Sequence, residues 1–404
     1  MRIWYLLKSH SILHLVGSIA YALSQWLVLT LLIRLDSLDS AGQYVYFLAI
    51  FTPVSILLNF GLRNGIASDV GGQFEIAQYI KAKFIGMAIF AILGAAFLLH
   101  SEKDIGLGLL VLCIKLVDGF ADLRYGYWIL QKSAGRYGVS QLLRLAVFVV
   151  LLSAGYFLGF RGTTLLYSFP LAMLAVFVLY DLKGAEYKVS GVVSINAMAL
   201  LKTYWPLAAS AFLVAAQSSL PRLAIDHFLS SEAVAMYAVL IYFVTVALLP
   251  ATSLTQVALP RIAMIAPGHL FVSKIFKQYI CLSVLYGLAF VLGVIFAGDW
   301  FVTNVYGVEA SYSLLIYLLV GLVGFSQVMK VSLSSLCVGK RLFNSMFTIN
   351  LLGLGVVALA SLIFIRWFGL AGGFLASLGA SMITVALYGV MLARFEYKTC
   401  PGRD

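Results

Sequence analysis

The chain has 404 residues, of which 62% are hydrophobic and only 11% charged, and its mean hydropathy is +1.01. A soluble globule needs far more polar surface to cover its core, so these values exclude one and indicate a polytopic membrane protein. The formal net charge of +11 does not point to nucleic acid, because the basic residues are spread among short connectors and form no continuous patch.

Apolar runs of about 20 residues, separated by polar or Gly/Pro breaks, predict the membrane spans. The first covers 12–33 and is followed by the polar connector RLDSLDSAGQ. The second covers 44–62, the loop RNGIASDVGGQFEIAQYIKAK follows, and the third covers 84–99 before SEKD turns the chain back. The fourth starts near residue 105. RYGYWILQKSAGRYGVSQ leads to a fifth span at 142–160, and RGTT to a sixth at 165–180. A longer polar segment, 183–202, is expected to be a cytoplasmic linker between an N-terminal six-helix bundle (1–182) and a C-terminal one (203–404). Six further spans are predicted at 205–228, 233–259, 280–297, 312–338, 347–365 and 370–392. The expected fold class is therefore all-α, with twelve transmembrane helices.

The fourth span carries the most information. Its central stretch, LLVLCIKLVDGFADLRYGYW (109–128), contains Lys115, Asp118 and Asp122, each costing roughly 2.5–3.5 kcal/mol at a bilayer centre. At 100° per residue the three fall within an arc of about 60°. That face must turn towards other helices or a wet cavity. A Lys115–Asp118 pair that only fixes packing is one reading of it. The other has Lys115 facing an anionic substrate and a carboxylate serving as a proton or cation site. Arg222 and Asp226 form an i,i+4 pair near the outer end of span seven, where a salt bridge and a functional role are both open. Lys330 in span ten has no acidic neighbour on its own helix, so snorkelling competes with a cavity role. Arg63, after Asn59-Phe60-Gly61-Leu62, is either a topology charge or a ligand.

Orientation follows from basic residues per connector. With the N-terminus inside, twenty Lys and Arg fall in inner connectors and five (Arg34, Lys103, Arg161, Arg222, Arg366) in outer ones. Both termini are thus expected to be cytoplasmic. Trp4, Trp128, Trp205, Trp300 and Trp367 sit at span ends as interfacial anchors. Arg2 and Lys8 precede the first apolar run without a small-residue cleavage site, which reads as an uncleaved first span. Cys113, Cys281, Cys337 and Cys400 lie too far apart for a disulfide frame or a metal site. No nucleotide-binding loop and no catalytic constellation is present, so neither enzyme activity nor a cofactor or metal is expected. A faint internal repeat aligns SAGQYVYFLAI with EAVAMYAVLIY, and Tyr44 with Tyr237. Two halves of six spans would share one orientation, with a cavity between two bundles.

The plan of twelve spans, with AGQYVYFLAI entering span two, NFGLRNGIA after it and PRLAIDHFLSSEAVAMYAV (221–239), resembles bacterial polysaccharide flippases. These O-antigen repeat-unit (Wzx-type) proteins belong to the multidrug/oligosaccharidyl-lipid/polysaccharide exporter superfamily. The resemblance implies a MATE-like pair of six-helix bundles around a central cavity, working by alternating access in the bacterial inner membrane. The implied substrate is an undecaprenyl-pyrophosphate-linked oligosaccharide, moved from the cytoplasmic to the periplasmic leaflet. The implied partners are membrane lipids and, beyond them, a polysaccharide polymerase and chain-length regulator. Cavity cations are the implied substrate contacts, and Lys115, Arg222, Lys330 and Arg63 are the positions that could match them. Asp118, Asp122 and Asp226 are the candidate ion-coupling residues. The rival expectation is an ion-coupled multidrug/cation exporter of the same superfamily. Within the spans, three cations (Lys115, Arg222, Lys330) against three acids (Asp118, Asp122, Asp226) do not decide between the two.

Overall fold

The computed structural model describes residues 2–69, 74–131, 133, 135–183, 197–263, 265, 269–271, 273–307, 312–340 and 342–398, and among these there are helices and no strand. The helices are α1 (Arg2–Leu35), α2 (Leu38–Leu58), α3 (Leu62–Ser68), α4 (Ile76–His100), α5 (Ile105–Leu130), α6 (Gly135–Phe157), α7 (Thr163–Leu166) and α8 (Ser168–Val176). They continue with α9 (Ala197–Phe228), α10 (Ser231–Ala263), α11 (Lys274–Phe301), α12 (Leu314–Gly339), α13 (Phe343–Phe368) and α14 (Leu370–Lys398). Wide π-helical turns extend α8 over Phe177–Asp181 and α11 over Val302–Tyr306. Eleven helical segments among the described residues are long and apolar enough to cross a membrane. α5 has the length, at 26 residues, and falls outside that set through its charges; with it the twelve expected spans are reached. The chain is an all-α, multi-pass membrane protein.

Helix ends follow from the polar breaks. Asp104, the last residue of SEKD, caps α5 by accepting the backbone N–H groups of Gly106 and Leu107 at 2.6 and 3.2 Å. Ser37 caps α2 through the N–H of Ser40, and Ser273 caps α11 through that of Ile275. Glu75 and Gln78 form a reciprocal capping box at the start of α4. Each cap satisfies donors that the first helical turn leaves unpaired. Because polar residues cap or enter helices here, most spans are longer than the apolar runs alone predict. α2 takes in residues 38–43 of the first connector, and α9 starts at Ala197, within the segment expected as a linker. Residues 184–196 of that segment lie outside the described residues.

The chain divides into two compact units, 1–215 and 216–404, with the boundary inside α9. In the first unit α5 is the axis, packed on α2, α3, α4 and α8, while α6 lies against α1 and α8. In the second unit α12 is the axis, packed on α10, α11 and α14, with α13 against α14. Counted by span, second with fourth, third with fourth, fourth with sixth and fifth with sixth pair in both units. The repeat that the sequence shows faintly is therefore present as a packing order, and its aligned residues Tyr44 and Tyr237 are both about 1% exposed.

α1 and α6 cross at Gly17 and Gly138, where a methyl group on either glycine would run into the partner's backbone. Small residues let helices approach this closely in lipid. Gly138→Ala is expected to destabilise the protein by about 1–3 kcal/mol through overpacking, read as a lower midpoint of thermal unfolding in detergent.

Candidate functional site

The first unit builds a polar interior around α5. α2 ends at Asn59, and the next two residues take left-handed backbone conformations, Phe60 at φ 53° and Gly61 at φ 64°. This break turns the chain into the short α3, whose backbone at Arg63 lies so close to Gly126 of α5 that no larger residue fits there without displacement. Asp122 sits one turn before Gly126, and the Arg63 guanidinium meets its carboxylate at 3.2 Å. The rings of Tyr137 and Tyr125 lie 5.3 and 5.9 Å beneath the same guanidinium, a cation–π seat that holds it in place. Tyr137 in turn stacks on His14 with ring centroids 4.6 Å apart. Lys83 of α4 is buried and donates to the Asn59 side-chain oxygen, with Asp122 and Arg63 within electrostatic reach.

A second chain of contacts starts one turn away on α5. Asp118 accepts the Tyr21 hydroxyl of α1 at 2.6 Å and meets Arg144 of α6 at 3.3 Å. Arg144 reaches on to Asp181 at 3.0 Å, and Arg124 donates to the Asp181 backbone oxygen at 2.8 Å. The two networks differ in exposure. The side chains of Arg144 and Asp181 are 2% and 0% exposed, whereas those of Arg63 and Asp122 are 30% and 28% exposed. The Arg144–Asp181 pair is sealed, Asp118 at the other end of that network is 21% exposed, and the Arg63–Asp122 pair reaches open space. A charged pair does not face hydrocarbon at that exposure, so the open space beside Arg63 and Asp122 is wet.

Lys115 is half-buried near the middle of α5, within electrostatic reach of Asp118. The sequence suggests Lys115 as the partner of Asp118; the structure adds Arg144 and Tyr21 to that carboxylate. In the second unit, Lys330 of α12 is 7% exposed and donates to the Gln217 side-chain oxygen at 2.5 Å. Gln217 passes a hydrogen bond to the Asn350 backbone oxygen at 2.7 Å, and the Asn350 side chain accepts the Tyr388 hydroxyl at 3.1 Å. This clamp joins α9, α12, α13 and α14 around a lysine with no carboxylate bonded to it among the described residues. Arg222 is half-buried on α9, within electrostatic reach of the Tyr237 and Tyr242 hydroxyls, and its Nε finds no hydrogen-bond partner among the described residues. Asp226, nearer the helix end, accepts the Ser231 hydroxyl at 3.1 Å, across the turn into α10. The structure thus gathers Arg63, Lys115, Asp118 and Asp122 on or against α5, and sets Lys330, Arg222 and Asp226 on α12 and α9 of the second unit.

Four interior ionisable residues escape the sequence reading. Lys83, Arg124 and Arg144 count there as connector charges, and Asp181 as the first residue past span six. All four are buried. Arg144 carries a signal, since it falls two residues inside the predicted span 142–160. For Lys83 the signal is helical phase: Lys81, two residues before it, is exposed. Without these three cations the connectors expected inside still hold far more basic residues than those expected outside.

No protein-family model matches the chain. Over 397 residues it is 22% identical to the capsular polysaccharide biosynthesis protein CapF of Staphylococcus aureus, covering 95% of this chain and 96% of that one. Among solved structures it is similar to a multidrug resistance MATE family transporter of the MOP superfamily, with TM-score 0.68, 13% identity and coverage of 98% and 96% of the two chains. The fold is the MATE fold. A MOP superfamily transporter from Pyrococcus furiosus, reported with a binding pocket of reverse polarity that suggests a different function, matches with TM-score 0.65 at 14% identity over 96% of each chain. The Vibrio cholerae MATE transporter VcmN matches with TM-score 0.64 at 15% identity over 96% of each chain.

Proposed function

We propose that this chain is a flippase that moves an undecaprenyl-pyrophosphate-linked oligosaccharide, the repeat unit of a capsule or O-antigen, from the cytoplasmic to the periplasmic leaflet. The observation that carries the reading is the charge of the first unit's interior. In the two networks around α5, five cations (Arg63, Lys83, Lys115, Arg124, Arg144) stand against three carboxylates (Asp118, Asp122, Asp181), while the half-buried Asp69 at the end of α3 accepts the Tyr79 hydroxyl. A site that has to attract a cationic drug needs the opposite balance, while a pyrophosphate in a low-dielectric site needs fixed cations. In the second unit Lys330 is held by an amide rather than a carboxylate, and the buried Glu396 carboxylate is bonded elsewhere, to the Leu270 N–H. The similarity to CapF, named for capsular polysaccharide biosynthesis, supports the same substrate class.

In this reading Arg63 and Lys115 contact the pyrophosphate, with Lys330 and Arg222 as the second unit's contacts, and the prenyl tail stays in lipid while the sugar crosses. Drive comes from an ion gradient through Asp118 or Asp122, or from consumption of the substrate on the far side by a polymerase acting with a chain-length regulator. Asp226, bonded across the α9–α10 turn, serves the helix end. The protein resides in the bacterial inner membrane with both termini cytoplasmic. The test is a deletion strain: long surface polysaccharide should disappear and lipid-linked repeat units should accumulate in the inner leaflet. Intact polysaccharide together with altered drug resistance would instead establish the exporter, the activity named for several proteins of this fold.

A further inference from the structure

The Arg63–Asp122 pair is built unlike a structural salt bridge. Its two side chains are the most open of the ion pairs among the described residues, at 30% and 28% exposure, while Arg144 and Asp181 are sealed. The Asp122 carboxylate can accept about four hydrogen bonds, yet among the described residues it takes one, from Arg63 at 3.2 Å. Arg63 does not depend on that contact for its position. It is seated over the Tyr137 and Tyr125 rings and fixed at its backbone by the close approach of α3 to Gly126. Lys83 is likewise positioned by Asn59, with Asp122 within its reach. Two prepositioned cations therefore share a single weakly held anion. The pair faces wet space, where a competing anion can arrive.

Resting on the flippase reading above, we infer that Asp122 is a built-in stand-in for the substrate's phosphate. It occupies the anion position on Arg63 while the transporter is empty, and a phosphate displaces it on loading. The chemistry favours the exchange. A phosphate group presents more acceptor oxygens than the one carboxylate oxygen now used, and can take two N–H donors of a guanidinium side by side while also facing an ammonium. The return of Asp122 favours the departure of the phosphate, which a transporter requires and a plain cation trap would prevent. A carboxylate this close to the cations thus lowers affinity and permits turnover.

The test is binding of farnesyl pyrophosphate to the full chain in lipid nanodiscs, with farnesol as the uncharged control. Asp122→Asn keeps the side-chain shape and removes the competing charge, so it should bind farnesyl pyrophosphate about tenfold more tightly with farnesol binding unchanged. Asp122→Ser should show the same direction, and Asp122→Glu should stay near the unaltered chain. Adding Arg63→Gln to Asp122→Asn should remove the gain. Equal or weaker binding of farnesyl pyrophosphate by both uncharged variants overturns the stand-in role and leaves the flippase reading intact. No binding by the unaltered chain overturns both.

Discussion

Replacement of Arg144 by methionine is expected to cost about 3–5 kcal/mol of stability. The guanidinium is 2% exposed and bridges Asp118 at 3.3 Å and Asp181 at 3.0 Å. Its loss leaves Asp181, itself fully buried, as a carboxylate with no cation bonded to it. Asp118 keeps the Tyr21 hydroxyl at 2.6 Å, so most of the damage should come from Asp181. Two further variants separate burial from charge alone. Arg144→Met combined with Asp181→Leu removes both members of the sealed pair and should recover at least half of the lost stability, because a buried ion pair is often matched by apolar groups of similar size. Arg63→Gln removes a pair that is nearly a third exposed and should cost about 1 kcal/mol or less. Thermal unfolding of detergent-purified protein reads all three; equal losses for Arg144→Met and Arg63→Gln would mean that the two pairs are not distinguished by enclosure.

Lys115→Ala should remove transport while the protein still inserts and folds. The structure makes this a clean experiment, because Asp118, the acid nearest in sequence, retains Arg144 and Tyr21 when the lysine is gone. Asp118 therefore keeps its bonded counter-ion. A charge-assisted hydrogen bond to the substrate is worth about 1.5–3 kcal/mol, which corresponds to a loss of roughly 10- to 100-fold in transport. Lys115→Arg should retain part of the activity, because the charge remains. Complementation of a deletion strain, scored as long surface polysaccharide alongside membrane abundance of the variant, provides the readout. Full complementation by Lys115→Ala would reduce that face of α5 to packing.

Much of the architecture is legible in the sequence because the bilayer imposes a length on every span. Span ends are less legible for a physical reason. Residues such as Asp104 and Ser37 look like connector residues, but their side chains bond the first backbone N–H groups of α5 and α2, and so belong to the helices. The candidate site is half legible. Lys115, Asp118 and Asp122 stand out because they interrupt an apolar run. Lys83 and Arg144 lie at the edge of such runs, where a charge facing water and a charge turned inward have the same local sequence. Only their partners, Asn59 for one and Asp118 and Asp181 for the other, tell the two cases apart. Those partners are distant in the chain and carry no spacing rule.

Asp181 owes its position to the π-helical turn at Phe177–Asp181. Such a turn inserts one extra residue into the winding of an α-helix, which rotates everything beyond it by about 100° relative to an uninterrupted helix. The turn acts as a phase shifter, letting α8 present an apolar flank along its length and still deliver its final carboxylate to Arg144. The counter-ion is thus set by residue count as much as by residue identity. A homologue shortened by a single residue between Ser168 and Phe177 would need no wide turn, and a regular helix would then carry the same aspartate to Arg144.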